Sequence, residues 1–229
     1  MVHGKVVIIT GSSGGLGTVV TKAFLEGGAR VIGVDRSAHS RNPDHPSLSH
    51  FTVALDDSAS VAQLVADVIE MYGRIDAVIH LVGGFAGGQR IDQTSDDTWE
   101  QMIGVNLRPA WTLLRAVLPV MREACSGSIV AIGTSAALSP VPELGAYGAS
   151  KAALISLVRT VAEENRSFGI RANVVSPNTM DTPANRAAMP DSDPGNWVQP
   201  ANVASLLVWL VSDAGAEVNG AVIPLPGRS

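Results

Sequence analysis

Short runs of Val, Ile and Ala recur along the chain, and between them apolar residues return every three to four positions. The runs predict strands at 5–10, 30–35, 49–55, 77–81, 128–133, 171–176 and 221–224. Several are apolar without alternation, as strands covered on both faces are. The longer stretches predict helices over 16–26, 58–72, 95–105, 107–124, 146–167 and 200–210. Thr94 and Ser95 followed by Asp96 and Asp97 make a helix start, by capping and by complementing the helix dipole. Strands alternating with helices imply right-handed βαβ units and a parallel, doubly wound sheet of about seven strands with helices on both faces.

No internal repeat, charge block or linker interrupts this order, so 1–229 reads as one dinucleotide-binding and catalytic domain of the Rossmann type. Two loops follow the carboxyl ends of strands, where open α/β sheets bind ligands. One is Gly83-Gly84-Phe85-Ala86-Gly87-Gly88. The other, 180–199, is rich in Pro, Asp and Asn and reads as a substrate lid.

Composition narrows the partners. The 229 residues are 46% hydrophobic and 16% charged, with a formal net charge of −5. That is core-forming material without the clustered cations that nucleic acid requires. The single cysteine, Cys125, excludes an intrachain disulfide and reads as structural. No Cys/His spacing suits a metal. The apolar run 6–9 is too short for a signal core or a membrane span, so a cytoplasmic protein is expected, with no membrane partner.

The first predicted strand ends in Thr10-Gly11-Ser12-Ser13-Gly14-Gly15-Leu16-Gly17 and a helix follows. Glycines at 11, 15 and 17 let backbone turn sharply and approach a pyrophosphate, which the N–H groups around Ser13 and Leu16 would receive. Asp35, at the end of the second strand, can accept both hydroxyls of an adenosine ribose and repel a 2′-phosphate. NAD(H) is therefore favoured over NADP(H), although Arg36 beside it either welcomes that phosphate or lies in solvent. Asp56 either accepts from an adenine amino group or caps a helix with Asp57 and Ser58.

Tyr147-Gly148-Ala149-Ser150-Lys151 opens a helix, and i,i+4 spacing puts phenol and ammonium on one face. A lysine cation favours phenolate and lowers the tyrosine pKa, which suits Tyr147 to giving and taking a hydroxyl proton. Lys151 can also hold the nicotinamide ribose. Phe85, Met189 and Trp197 are candidates for an apolar pocket over the nicotinamide, with packing of Trp197 on its own domain as the alternative. Arg186 either anchors an anionic substrate or makes a surface ion pair.

Taken in order, Thr10-Gly11-x-x-x-Gly15-x-Gly17, Asp56, Asn106, Thr134-Ser135, Tyr147-x-x-x-Lys151 and Ser176-Pro177 resemble the short-chain dehydrogenase/reductase family over nearly the whole chain. The resemblance implies a catalytic Asn-Ser-Tyr-Lys set and a homodimer or homotetramer. It implies that Asn106 holds a water linking Lys151 to solvent. It also implies that Val82, Gly83 and Pro177 line the cofactor site, and that Thr182 and the backbone near Met180 position the carboxamide. The chain departs from the family at His80-Leu81-Val82-Gly83, where Asn-Asn-Ala-Gly is usual. It departs again at Asn178 and at Thr134, which aligns with the family's serine. His80 either touches the cofactor ribose or is a hydrogen-bonded strand-end histidine. Thr134 and Ser135 both remain candidates for the catalytic hydroxyl: register favours Thr134, and a bulge after Gly133 would bring in Ser135.

The two loops, with Asp181-Thr182-Pro183-Ala184-Asn185-Arg186, Met189-Pro190 and Trp197, are locally similar to dihydropteridine reductase. The expected activity is hydride transfer between NAD(H) and a small carbonyl/alcohol substrate. Reduction of a pterin ring, and a non-catalytic dinucleotide sensor or scaffold, are the alternatives.

Overall fold

The computed structural model describes residues 1–38 and 41–228. Its seven strands are β1 (Val6–Thr10), β2 (Arg30–Asp35), β3 (Leu48–Thr52), β4 (Ala77–His80), β5 (Gly127–Ile132), β6 (Ile170–Pro177) and β7 (Val222–Leu225). They form one sheet in the order β3-β2-β1-β4-β5-β6-β7, and every pairing is parallel. The helices are α1 (Gly17–Glu26), α2 (Ser58–Tyr72), α3 (Asp96–Asn106), α4 (Arg108–Glu123), α5 (Gly145–Glu164), α6 (Pro183–Ala188) and α7 (Pro200–Val211).

Strand periodicity divides the core into two layers. Val6, Ile8, Ile32, Val78 and Ile129 face α2, α4 and α5, while Val7, Ile9, Val31, Ile79 and Val130 face α1 and α7. Both faces being covered, the strands carry apolar residues at successive positions, and β1, β4 and β5 are buried throughout. The parallel arrangement gathers all seven carboxyl ends on one rim. The chain reverses its direction of winding between β1 and β4, which opens a crevice there.

The helix starts follow local chemistry. Ser95 caps α3, its hydroxyl accepting from the Thr98 amide at 3.2 Å. Asp57 caps α2, accepting from the Ser60 amide at 2.9 Å. Two elements end three residues earlier than expected, and one helix was not expected. β3 ends at Thr52 rather than 55, because the chain turns, with the Asp57 amide donating to the Ala54 carbonyl at 3.0 Å. α5 stops at Glu164, because the Asn165 amide group bonds back to the Val161 carbonyl at 2.7 Å and to Arg122 Nε at 2.6 Å. α6 was expected as loop; Thr182 caps it and Pro183 sits at its first position, where a missing N–H costs nothing. Cys125 lies exposed in the turn after α4, at φ +48°, and not in the core. The outer side of α5 leaves only small residues exposed over one stretch, Ala149, Ala152 and Ser156.

Candidate active site

The turn between β1 and α1 is fixed by contacts that only glycine allows. A Cβ on Gly17 would lie 1.9 Å from the Gly11 carbonyl oxygen, and Gly11 itself has φ +70°. Gly15 faces Thr182, whose Cβ would be 3.4 Å from a Cβ there. No side chain caps the start of α1, and of its first-turn amides that of Thr18 donates to the Gly14 carbonyl at 3.0 Å, so any anion there would be received by the others. Behind the turn stands the loop after β4: a Cβ on Gly11 would meet Val82 Cγ2 at 3.4 Å. A glycine cradle of this shape, open at a helix N-terminus, fits a dinucleotide pyrophosphate.

At the end of β2, the Asp35 carboxylate accepts from Ser12 Oγ at 2.5 Å, Ser13 Oγ at 2.9 Å and the Ser13 amide at 3.1 Å. A carboxylate offers about four acceptor positions, so the turn already uses most of them. Ribose hydroxyls reaching Asp35 would therefore compete with Ser13 Oγ. Arg36 turns away and pairs with Asp56, its Nη2 lying 3.0 Å from both carboxylate oxygens. Of the two roles open to Asp56, capping belongs to its neighbour Asp57. Loop residues beyond β2 fold back over the turn, with Asn42 Nδ2 donating to the Ser12 carbonyl at 3.0 Å.

Across the crevice, α5 carries Tyr147 and Lys151 one turn apart. Lys151 is buried, and its Nζ donates to the Ile132 carbonyl at 2.9 Å. Burial pulls its pKa down to about 8. Burial pushes the Tyr147 phenol up from its ordinary value, and the Thr134 hydroxyl beside it offsets part of that rise. The expectation that Lys151 lowers the phenol's pKa is not met: the ammonium is turned to a strand-end carbonyl, and desolvation dominates at the phenol. The two strand-end hydroxyls part company. Thr134 is buried next to the phenol, while Ser135 donates to Asn178 Oδ1, and Asn178 in turn donates to the Pro226 carbonyl at 3.0 Å.

Asn106, buried at the end of α3, bonds both polar groups of Gly84. Its Oδ1 accepts from the Gly84 amide at 3.0 Å, and its Nδ2 donates to the Gly84 carbonyl at 3.1 Å and to Ser150 Oγ at 3.0 Å. Gly83 is the close-packed point of this corner: a Cβ there would sit 2.8 Å from Asn106 Oδ1 and 2.9 Å from Lys151 Nζ. His80 lies buried beneath, its Nδ1 3.0 Å from Thr10 Oγ1. Burial, and then the Lys151 charge, depress its pKa to about 3, so the ring is neutral. Thr10 Oγ1 also accepts from the Leu81 amide at 3.2 Å, which ties the turn after β1 to the end of β4. His80 is thus a hydrogen-bonded strand-end residue here.

Of the three apolar candidates, one reaches the tyrosine. The Phe85 ring meets Tyr147 edge-to-face, with centroids 5.0 Å apart. Met189 follows α6 and Trp197 follows a short turn at Pro194–Asn196; among the described residues no ring contact joins Trp197 to Phe85 or Tyr147. The base of the 180–199 segment is pinned by a bridge between Met180 and Val198. Arg186 is held by Asp181, with Nε and Nη2 at 2.5 and 2.9 Å from its oxygens, so it makes an ion pair within its own segment. Pro177 is buried at the end of β6, and the Met180 carbonyl accepts from Asn185 Nδ2 at 2.8 Å. Ser12, Ser150 and Asn178 were not among the site residues expected from the sequence. The departure at position 178 was the signal for Asn178; Ser12 and Ser150 lay inside recognised motifs as unassigned hydroxyls.

Known proteins agree with this architecture. Residues 5–193 match the short chain dehydrogenase family. Short chain dehydrogenase adrF of Penicillium rubens is 34% identical over 96% of this chain and 94% of its own length. An uncharacterized NAD-dependent oxidoreductase of Mycobacterium tuberculosis is 31% identical over 97% of this chain and 94% of its own. Levodione reductase superimposes with a TM-score of 0.91 at 25% identity, covering 99% of this chain and 98% of that one. No helix among the described residues is long and apolar enough to cross a membrane. With its parallel sheet, its glycine turn and its Tyr-x-x-x-Lys helix matched along nearly its full length, the chain belongs to the short-chain dehydrogenase/reductase family of oxidoreductases.

Proposed function

We propose that this protein interconverts a small carbonyl compound and its alcohol, using NAD(H). The observation that carries the reading is the meeting of Tyr147, Thr134 and Phe85 above a buried Lys151. A nicotinamide held beside Lys151 would supply or accept the hydride. The glycine turn, Asp35, Val82, Gly83, Pro177, Met180 and Thr182 would hold that cofactor. NAD(H) is supported by Asp35 and by likeness to the mycobacterial relative, an NAD-dependent oxidoreductase.

The chain's own groups handle the proton. With its pKa raised, the Tyr147 phenol is protonated at neutral pH and ready to donate to a carbonyl oxygen. Thr134 hydrogen-bonds the same oxygen, and its methyl narrows the space around it. Below about pH 8, Lys151 is cationic, and turned toward the phenol its charge would favour the phenolate that the tyrosine needs to act as base. Phe85 covers the phenol from solvent and offers an apolar wall to the substrate's carbon frame.

The test pairs a substrate panel with one variant. Ketones and a quinonoid dihydropterin are offered with NADH to wild type and to Tyr147→Phe. Turnover of ketones, lost in the variant while NADH affinity stays within about twofold, is expected. Turnover of the pterin alone, or of nothing, would replace this reading by the pterin or sensor alternatives. Retained turnover in Tyr147→Phe would remove the phenol from the chemistry.

A further inference from the structure

Nothing above explains why a cation follows Asp35. We propose that Asp56 sets the nucleotide preference by holding Arg36 away from the place where a ribose 2′-phosphate would lie. The proposal rests on the reading of the 10–17 turn and Asp35 as an NAD(H) site.

Arg36 leaves the end of β2 directly after Asp35, so its guanidinium is the nearest cation in sequence to the ribose end of the cleft. It does not reach toward the turn. One nitrogen lies 3.0 Å from each oxygen of Asp56, in the connection between β3 and α2. That contact directs Arg36 toward Asp56 and offsets part of its charge. A dianionic phosphate entering beside Asp35 would then meet a like charge and a cation already engaged.

The other carboxylates of this rim are committed. Asp35 accepts three hydrogen bonds from Ser12 and Ser13. Asp57 accepts from the Ser60 amide at 2.9 Å and the Ser60 hydroxyl at 2.5 Å as the cap of α2. Arg36 released from Asp56 therefore has no open carboxylate among these to move to, and a phosphate becomes its best partner. Because Asp57, not Asp56, caps α2, removing the charge at 56 leaves the helix start intact.

The experiment titrates NADH and NADPH, by quenching of tryptophan fluorescence, into wild type, Asp56→Asn, Asp56→Ala, Arg36→Gln and the Asp56→Asn/Arg36→Gln pair. Wild type is expected to prefer NADH. Asp56→Asn is expected to shift the NADH:NADPH affinity ratio toward NADPH by on the order of tenfold, as one freed charge-assisted contact would. Asp56→Ala should repeat the shift and the double variant should abolish it. Equal weakening of both nucleotides in Asp56→Asn would overturn the proposal and give Asp56 to the adenine. A shift that persists in the double variant would also overturn it, since Arg36 would then have no part. These two failures leave wild-type preference for NADH standing. Wild-type binding of NADPH as tight as NADH overturns the cofactor reading itself, and the proposal with it.

Discussion

The two ends of the candidate cofactor cleft differ in how their polar groups are kept. Around Tyr147, the side chains of Lys151, Asn106, His80 and Thr134 are all buried, and their hydrogen bonds run to backbone or to neighbouring side chains. At the end proposed for adenosine, the Arg36 and Asp56 side chains are 78% and 48% exposed. Burial multiplies the worth of each contact and the cost of losing it, whereas exposed pairs contribute little and yield to salt. The buried end is therefore suited to fixed chemistry. The exposed end is suited to adjustable preference, where one charge can be exchanged without disturbing the fold.

The largest test of that contrast is at the shared hinge of both ends. Gly17→Ala drives a Cβ to 1.9 Å from the Gly11 oxygen and 2.7 Å from the Ser12 carbonyl carbon, both backbone. NADH affinity is expected to fall roughly a hundredfold or more, read by fluorescence titration with circular dichroism as the folding control. Near-normal affinity would mean that the turn relaxes freely.

Next come the two hydroxyls. Thr134→Ala should lower kcat/KM by roughly ten- to a thousandfold, as removal of a transition-state hydrogen bond does. Ser135→Ala should stay near wild type, since Ser135 is bonded to Asn178. The reverse pattern would assign the role to Ser135 and would require the chain to rearrange after Gly133.

Lys151 gives a pH test. Its folded value of about 8 lies below the ordinary 10.5. Between those values the unfolded chain holds a proton at this lysine that the folded chain has lost, so raising the pH favours the folded state. Wild type should gain about 3 kcal/mol relative to Lys151→Met between pH 8 and 10.5, measured by urea unfolding without cofactor. Parallel stability curves for the two proteins would show that water reaches the ammonium.

The smallest effect belongs to the exposed rim. Arg186→Gln breaks its pair with Asp181, in which the arginine is 57% exposed, and should lower the urea midpoint only slightly, and by less in high salt. A salt-independent loss well above that would break the contrast drawn here.

Much of this was legible in the sequence where local rules govern. All seven strands and six of the helices follow from runs such as Val6–Ile9 and from the periodicity of segments such as 58–72. The glycine turn and the Tyr147/Lys151 spacing need only short-range geometry. What escaped depends on partners far along the chain. Asn178 lies 43 residues from Ser135 and Asp56 lies 20 from Arg36, and no local pattern pairs them. α6 escaped for a different reason: Thr182-Pro183 is a readable start signal, but the Pro and Asp density after it resembled loop. The direction of Lys151 toward Ile132 could not be read at all, because i,i+4 spacing fixes a face and not the end point of a long flexible side chain.

Asn106 has a mechanical consequence. By accepting from the amide of Gly84 and donating to its carbonyl, the side-chain amide does for that residue what a neighbouring strand would do. The sheet's ladder is in effect carried past the end of β4 by a side chain, anchored from a helix. The segment bearing Phe85 is thereby welded to the scaffold at its root. Any movement of Phe85 over Tyr147 would then pivot beyond Gly84, where Gly87 and Gly88 leave the backbone room to turn.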